Sequence, residues 1–316
     1  MRWSLSMGKM FSRCPKKWCY STVFADSKSD DVVKREAATL KNLQSIHSWR
    51  GKLVDDTISQ YVIPKINRKA EIEPESVMAF SKKLADRQLD YAMKKKYREE
   101  HSGIDSETDS EFCALYEIEY GKGIEESIIK KAREESETSL MNFFHSDVLT
   151  DLVENARYSL PQRLLQFHFA DCTIVCKPDL IVFMNDGHIK IIDWKVQAPT
   201  NRENWLQLGL YGIAFARAKP HSDYPKDLLE KIEDAKNKEL IEFQLLRNQK
   251  LEYRLTAEDI TEIDDYVFDS CLRIGQMLNG KPKEPDQLLP LMPTARSPES
   301  CSYCNFKKIC WVEVAL

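Results

Sequence analysis

Asn185-Asp186-Gly187 separates two runs of strand-forming residues, "CTIVCKPDLIVF" before it and "HIKIIDWKV" after it. A three-residue loop with Gly in the left-handed position after a type I turn is a common hairpin connection. Facing residues of an antiparallel pair have a constant index sum. A loop centred on Asp186 sets that sum at 372, which puts Asp179 opposite Asp193. Strand side chains alternate faces, so Asp193 and Lys195 share one face and Trp194 turns away. A two-residue loop would shift the register and carry Asp179 to the wrong face. The loop therefore predicts three charged groups converging on one side of a small sheet.

Two carboxylates facing each other repel unless something neutralises them. A divalent cation does so. Hard oxygen ligands suit Mg²⁺ or Mn²⁺, which keep several waters and bind one or two carboxylates plus substrate phosphate. Such a cation lowers the pKa of a bound water, and a lysine beside it holds or deprotonates that nucleophile. For an isolated Asp-x-Lys, a solvent-facing salt bridge is the better account. Here Pro178-Asp179 and the register shift the balance to chemistry. Gln207 and Tyr211 lie four apart in "QLGLY", on one helical face, where they can bind phosphate or steady the lysine.

Around this hairpin the chain reads as mixed α/β. "DDVVKREAATLKNLQSIHSW" and "GKLVDDTISQYVIP" predict two helices, with Pro64 as a stop. Further helices are expected near 75–98 and 123–140, with a polar loop at 98–111. "RLLQFHF", "CTIVCKPDLIVF" and "HIKIIDWKV" predict three strands. A helix over "RENWLQLGLYGIAFARA", a hairpin in "LIEFQLLRNQKLEYRLT", a helix over 257–279 and an irregular tail complete the pattern.

With 316 residues and a net charge of -4, the chain can bury a core, and its charge argues neither for nor against nucleic acid. No run approaches the roughly 18 apolar residues of a membrane helix, and the N-terminus has no apolar signal core, so a cytoplasmic location is expected. Nine cysteines without a secretion signal fit a reducing compartment, where a cluster is more often a metal or cofactor site than a disulfide framework. Cys301-x₂-Cys304-x₅-Cys310 has ligand spacing, but three thiolates leave a site one ligand short. Cys113, Cys172, Cys176 and Cys271 read as buried structural thiols. "CPKKWCY", "MKKKYR" and "CNFKKICW" set lysines beside aromatics, a combination that tracks a phosphate backbone and stacks bases.

At Asp179, Asp193-Trp194-Lys195 and Gln207-x₃-Tyr211 the sequence resembles the PD-(D/E)xK nuclease superfamily, in particular its RecB-like branch, which includes the CRISPR-associated RecB-like exonucleases and AddB-type nucleases. The resemblance implies one nuclease domain over 1–316 with a restriction-endonuclease-like core, a mixed sheet flanked by helices. Within it, 1–64 would form an N-terminal clasp and helices, 65–160 a helical insertion, 161–256 the catalytic core, and 257–316 a C-terminal helix and clasp. It also implies a Mg²⁺- or Mn²⁺-dependent deoxyribonuclease, an exonuclease on single-stranded DNA or duplex ends. Asp179, Asp193 and the Trp194 carbonyl would hold the cation.

The branch has a histidine in a helical Gly-x-x-x-His motif. "RGKLVDDTI" puts Asp55 there, as a further ligand, with Glu125 in "GKGIEES" a weaker rival. Iron–sulphur members of the branch take a fourth cysteine from the extreme N-terminus before a proline. That implies a [4Fe–4S] cluster on Cys14, Cys301, Cys304 and Cys310, clasping the termini. Zinc is the alternative metal and Cys19 the alternative ligand. The expected partners are DNA and a helicase or a defence or repair complex, with no membrane. The rival reading is a catalytically inactive nucleic-acid-binding module with a structural iron–sulphur or zinc site.

Overall fold

The computed structural model describes residues 1–99, 109–121, 123–196, 202–231 and 234–314. Most of the acidic loop expected at 98–111 lies outside them. The chain divides into two compact units. The first comprises Met1–Arg2, Ile46–Arg87 and Glu125–Phe268, and the second Trp3–Ser45, Gln88–Ile124 and Asp269–Leu316. No helix among the described residues is long and apolar enough to cross a membrane.

The first unit carries the strands β1 (Ala156–Pro161), β2 (Leu165–Phe169), β3 (Cys172–Cys176), β4 (Leu180–Met184), β5 (Ile189–Lys195), β6 (Lys238–Gln244) and β7 (Gln249–Tyr253). Five form a sheet in the order β1-β4-β5-β6-β7. Its neighbours are antiparallel except β5 and β6, which run parallel. This is the expected mixed sheet flanked by helices. The helices that flank it are α1 (Ile46–Thr57), α2 (Glu126–Phe144), α3 (Asp147–Asn155) and α4 (Arg202–Arg217).

Alternation along the strands gives the sheet two different faces. Leu180, Val182, Ile192, Trp194, Ile241 and Phe243 join one core with Val54 of α1 and Leu140 and Phe143 of α2. Full burial of such side chains stabilises by about 1.5–3 kcal/mol each. The opposite face meets α4, where Phe183 and Phe215 rings lie 6.1 Å apart. Gly212 lets α4 lie close to the sheet, and Gly209 makes room on it for Ile263. A Cβ on Gly209 would come within 2.5 Å of Ile263 Cδ1, and one on Gly212 within 3.2 Å of Leu240. That approach brings Gln207 and Tyr211 over the sheet.

The structure departs from the sequence reading at two prolines. "CTIVCKPDLIVF" is two strands, because Pro178 has no N–H to donate and forces its predecessor out of regular pairing. β3 pairs with β2, whereas β4 pairs with β1 and β5. Pro64 does not stop a helix. A π-helical turn, Ile58–Val62, precedes it, and Ile63 N–H bonds the Ile58 carbonyl. The widened turn carries the chain past Pro64 into a further helical turn, Ile63–Asn67. The break expected at residue 50 lies instead between Leu40 and Ile46, and β1 is a strand the sequence reading did not include.

The second unit holds the helices Leu5–Arg13, Pro15–Cys19, Val32–Leu40, Tyr116–Tyr120 and Glu299–Ser302. Arg98 bridges its segments, donating to both Glu36 oxygens at 3.0 Å and, through Nε at 2.8 Å, to Glu119.

Candidate active site and cysteine cavity

The hairpin loop sets the register as expected. Met184 N donates to the His188 carbonyl at 2.9 Å and Gly187 N to the Met184 carbonyl at 3.0 Å. Gly187 has φ 84°, the left-handed conformation this turn requires. Leu180 pairs with Ile192 and Val182 with Lys190, so facing residues do sum to 372.

Hydrogen-bonded and non-hydrogen-bonded pairs alternate in such a ladder. Because 184 and 188 are a bonded pair, so are 180 and 192, and the next would be Pro178 with Trp194. Proline cannot donate. The Trp194 N–H turns instead to Asp179 Oδ2 at 2.8 Å. The N–H and C=O of one strand residue point the same way, so the Trp194 carbonyl opens toward Asp179 with no Pro178 donor to meet it. The ladder ends at Leu180 with Ile192, and Asp179, one residue before β4, continues that register to lie beside Asp193, whose charge acts on it.

Lys195 lies two residues on, on the same face as Asp193. Its Nζ sits 2.6 Å from Asp193 Oδ2 and donates to Gln207 Oε1 at 3.2 Å. Gln207 Nε2 in turn donates to the Tyr211 hydroxyl at 2.6 Å. The structure thus brings together Asp179, Asp193, Lys195, Gln207 and Tyr211 in one hydrogen-bonded line.

Asp55 comes from the last turn of α1. Gln162 Nε2 donates to its Oδ2, while its Oδ1 is out of water with no hydrogen-bond partner. Gln162 follows β1 with φ 48° and also donates its N–H to the Asp179 carbonyl at 2.9 Å. Sequence reading missed Gln162, and nothing in "LPQR" marks it. Glu125 is exposed at the N-cap of α2, where it accepts from Ser127, and plays no part here.

Glu242 was also missed. It pairs with Asp193 across the parallel strands β5 and β6 and is 1% exposed. Its Oε1 accepts from Gln244 Nε2 at 2.8 Å and Asn204 Nδ2 at 3.2 Å, and its Oε2 is buried without a partner. The available signal was an acid inside the apolar run "LIEFQ", the same anomaly that singled out Asp193.

Electrostatics follow from buried Asp193 and half-buried Asp55, Asp179 and Lys195 brought close together. Burial and then the charge of Asp193 push Asp179 well above the usual carboxylate range. Burial raises Asp193 too, against the pull of Lys195. Asp55 is pushed up to about 7 by burial and by Asp56. Burial alone would lower Lys195, but Asp193 outweighs it and holds the ammonium. Without a cation Asp55, Asp179 and Asp193 therefore hold protons more tightly than free carboxylates do.

Among the described residues no group of three or more His, Cys, Asp or Glu side chains stands arranged to hold a metal ion. The acids turn oxygens to protein donors: Asp179 to Trp194, Asp193 to Lys195, Asp55 to Gln162. The donor set itself is what a hard cation takes: carboxylate oxygens, a backbone carbonyl on an unpaired side, and a buried orphan oxygen at Asp55.

In the second unit, Cys14, Cys301, Cys304 and Cys310 line one cavity of about 340 Å³ together with Lys17, Tyr20 and Phe306. Burial raises the Cys304 thiol, and its neighbours Cys14 and Cys301 add to the rise. Four thiols are the soft donors that an iron–sulphur cluster or zinc takes, but among the described residues they are not arranged around an ion. Cys19, the alternative ligand, is 0% exposed and pushed up to about 11 by burial; it does not line the cavity. Cys113, Cys172, Cys176 and Cys271 are buried, as expected. Among the basic clusters, Arg98 of "MKKKYR" is taken up by Glu36 and Glu119. Lys307 of "CNFKKICW" lies over the Tyr116 and Tyr120 rings at 5.0 and 4.4 Å.

A family model described as the PD-(D/E)XK nuclease superfamily matches residues 2–311. No curated protein matches the sequence. A solved structure titled "Crystal structure of SSO0001" is similar at 16% identity, over 62% of this chain and 78% of that one, with a TM-score of 0.29. A likeness that weak supports no reading of fold or function.

Proposed function

We infer that this chain, which belongs to the PD-(D/E)XK nuclease superfamily, is a divalent-cation-dependent deoxyribonuclease acting as an exonuclease on single-stranded DNA or duplex ends. The observation that carries the reading is the closely placed Asp179 and Asp193, with Lys195 ion-paired to Asp193 at 2.6 Å. Asp179, Asp193, the Trp194 carbonyl and Asp55 would hold Mg²⁺ or Mn²⁺. When bound, such a cation lowers the pKa of a coordinated water and offsets charge on the phosphate.

The chain's own residues do the rest. Lys195 is held as an ammonium by Asp193, and it would orient the attacking water or the scissile phosphate. Gln207 fixes where Nζ points, and Tyr211 fixes Gln207. Asp55 stands where the branch has histidine, and the Gln162 clamp holds it toward Asp179. The four-cysteine cavity supports a [4Fe–4S] cluster as a structural clasp, with zinc the rival. The whole chain acts as one nuclease domain, and Lys17 and Lys307, which line the cavity beside Tyr20 and Phe306, support a nucleic-acid strand as substrate.

The test is cleavage of end-labelled single-stranded and duplex DNA with Mn²⁺ or Mg²⁺. Wild type should cut and Asp193→Ala should not, with a ladder shortening from an end. Cutting by both proteins would remove the site from the chemistry. If neither cuts while both bind DNA, the chain is a binding module. Anaerobically purified protein should be brown and lose iron in Cys304→Ala, whereas colourless protein carrying zinc would replace the cluster.

A further inference from the structure

Four acids lie in a row in the first unit: Asp55 on α1, Asp179 before β4, Asp193 on β5 and Glu242 on β6. Asp193 is the shared member. It interacts with Asp179, which lies one residue before β4, and pairs with Glu242 across the parallel strands. Neighbouring strands lie about 4.8 Å apart, so Asp179 and Glu242 start from backbones separated by about twice that. Mg²⁺–oxygen bonds of about 2.1 Å bridge carboxylates of adjacent strands.

The outer acids are prepared alike. An amide clamps one oxygen of each: Gln162 at Asp55, and Gln244 with Asn204 at Glu242. The other oxygen of each, Asp55 Oδ1 and Glu242 Oε2, is buried without a partner. A buried orphan carboxylate oxygen is costly, and hydrogen bonds that orient a carboxylate from behind are how ligating acids are held. Lys195 acts on Glu242 by charge but not by a hydrogen bond, because its ammonium bonds Asp193 and Gln207.

We propose that Glu242 and Asp193 form a second divalent-cation position, on the side of Asp193 away from Asp179, so that Asp193 bridges two ions. This rests on the nuclease reading and adds a ligand that the superfamily motif does not contain. Two cations about 3.5–4 Å apart clamp the attacking and leaving oxygens of a phosphodiester.

Mn²⁺ binding to the full chain, counted by calorimetry and by loss of the free-ion EPR signal, tests it. Glu242→Gln suits the purpose because its Oε1 can still accept from Gln244 and Asn204. Wild type should bind two ions. Glu242→Gln should bind one normally and the other at least about tenfold more weakly. Its melting temperature without metal should be no lower than wild type, and Mn²⁺ should raise it less. Glu242→Asp should recover part of the second binding. Two ions bound with unchanged affinity by Glu242→Gln would overturn the proposal, as would a single ion in wild type whose affinity the variant leaves alone. In either case the nuclease reading stands. Only a wild type that binds no Mn²⁺ removes both.

Discussion

At the scale of single residues the site is a relay in which each side chain fixes the next. Tyr211 is 8% exposed, and its hydroxyl accepts from Gln207 Nε2. Burial and nearby Asp193 hold that hydroxyl well above its ordinary pKa, so it stays protonated across the working range. Tyr211→Phe removes the acceptor and lets the Gln207 amide turn, but leaves Lys195 and the acids in place. Its expected cost is about tenfold in kcat with KM for DNA unchanged. Lys195→Ala removes the group that acts on the water or the phosphate and should lose about 10²–10⁴ in kcat. Single-turnover cleavage at saturating DNA separates the two. Equal losses would mean that Tyr211 does more than position.

At the scale of elements, the β4–β5 hairpin shows what a sequence reveals and what it hides. Register was legible because the loop fixes it locally: Gly187 forces the turn, and the turn forces Asp179 opposite Asp193. The helix carrying Gln207 and Tyr211 was legible for the same reason, since its periodicity is local. Glu242 and Gln162 were not. Each reaches the site through a strand pairing, β5 with β6 and β1 with β4, that no local pattern encodes. Asp55 was found only through resemblance, and its orphan oxygen appears only in the fold.

In the sequence Pro178 only flags the acid beside it, whereas its physical role is to end a ladder. That role is testable. Pro178→Ala restores an N–H opposite the Trp194 carbonyl and lets β4 lengthen by one bonded pair. The variant should fold at least as stably as wild type, yet bind Mn²⁺ about tenfold more weakly, because the carbonyl now has a competing donor. Calorimetry together with a melting curve checks it. Unchanged Mn²⁺ affinity would show that the carbonyl is not a ligand.

At the scale of the whole molecule, the two units carry opposite dependences on acid. In the first, Asp55, Asp179 and Asp193 have raised pKa values, so the folded state binds more protons than the unfolded chain. Stability contributed by such groups is complete at low pH and falls as pH rises from the unfolded carboxylate range, with Asp55 finishing at about 7.

In the second unit the sign reverses. Arg98 holds Glu36 below the ordinary carboxylate value; at Glu119 burial pushes up, but Arg98 outweighs it. Their contribution is complete above the unfolded value of 4.5 and disappears as pH falls through the lower folded values. In EDTA, lowering the pH from 7 to about 5 should therefore strengthen the first unit and leave the second unchanged. Going on to about 3 should weaken the second.

Hydrogen exchange resolves the units in one experiment. Protection of Ile189–Lys195 should increase between pH 7 and 5 after correction for intrinsic rates, and protection of Val32–Leu40 should drop below 4.5. Arg98→Met should abolish the second change and cost on the order of 2 kcal/mol at pH 7, less than a fully buried pair because Arg98 keeps some exposure to water. Added Mn²⁺ should erase the first change alone, since a cation replaces the protons that the acids otherwise retain. Parallel acid responses in both segments would mean that the carboxylates of the first unit are already neutralised within the protein, and that no cation is needed to hold them together.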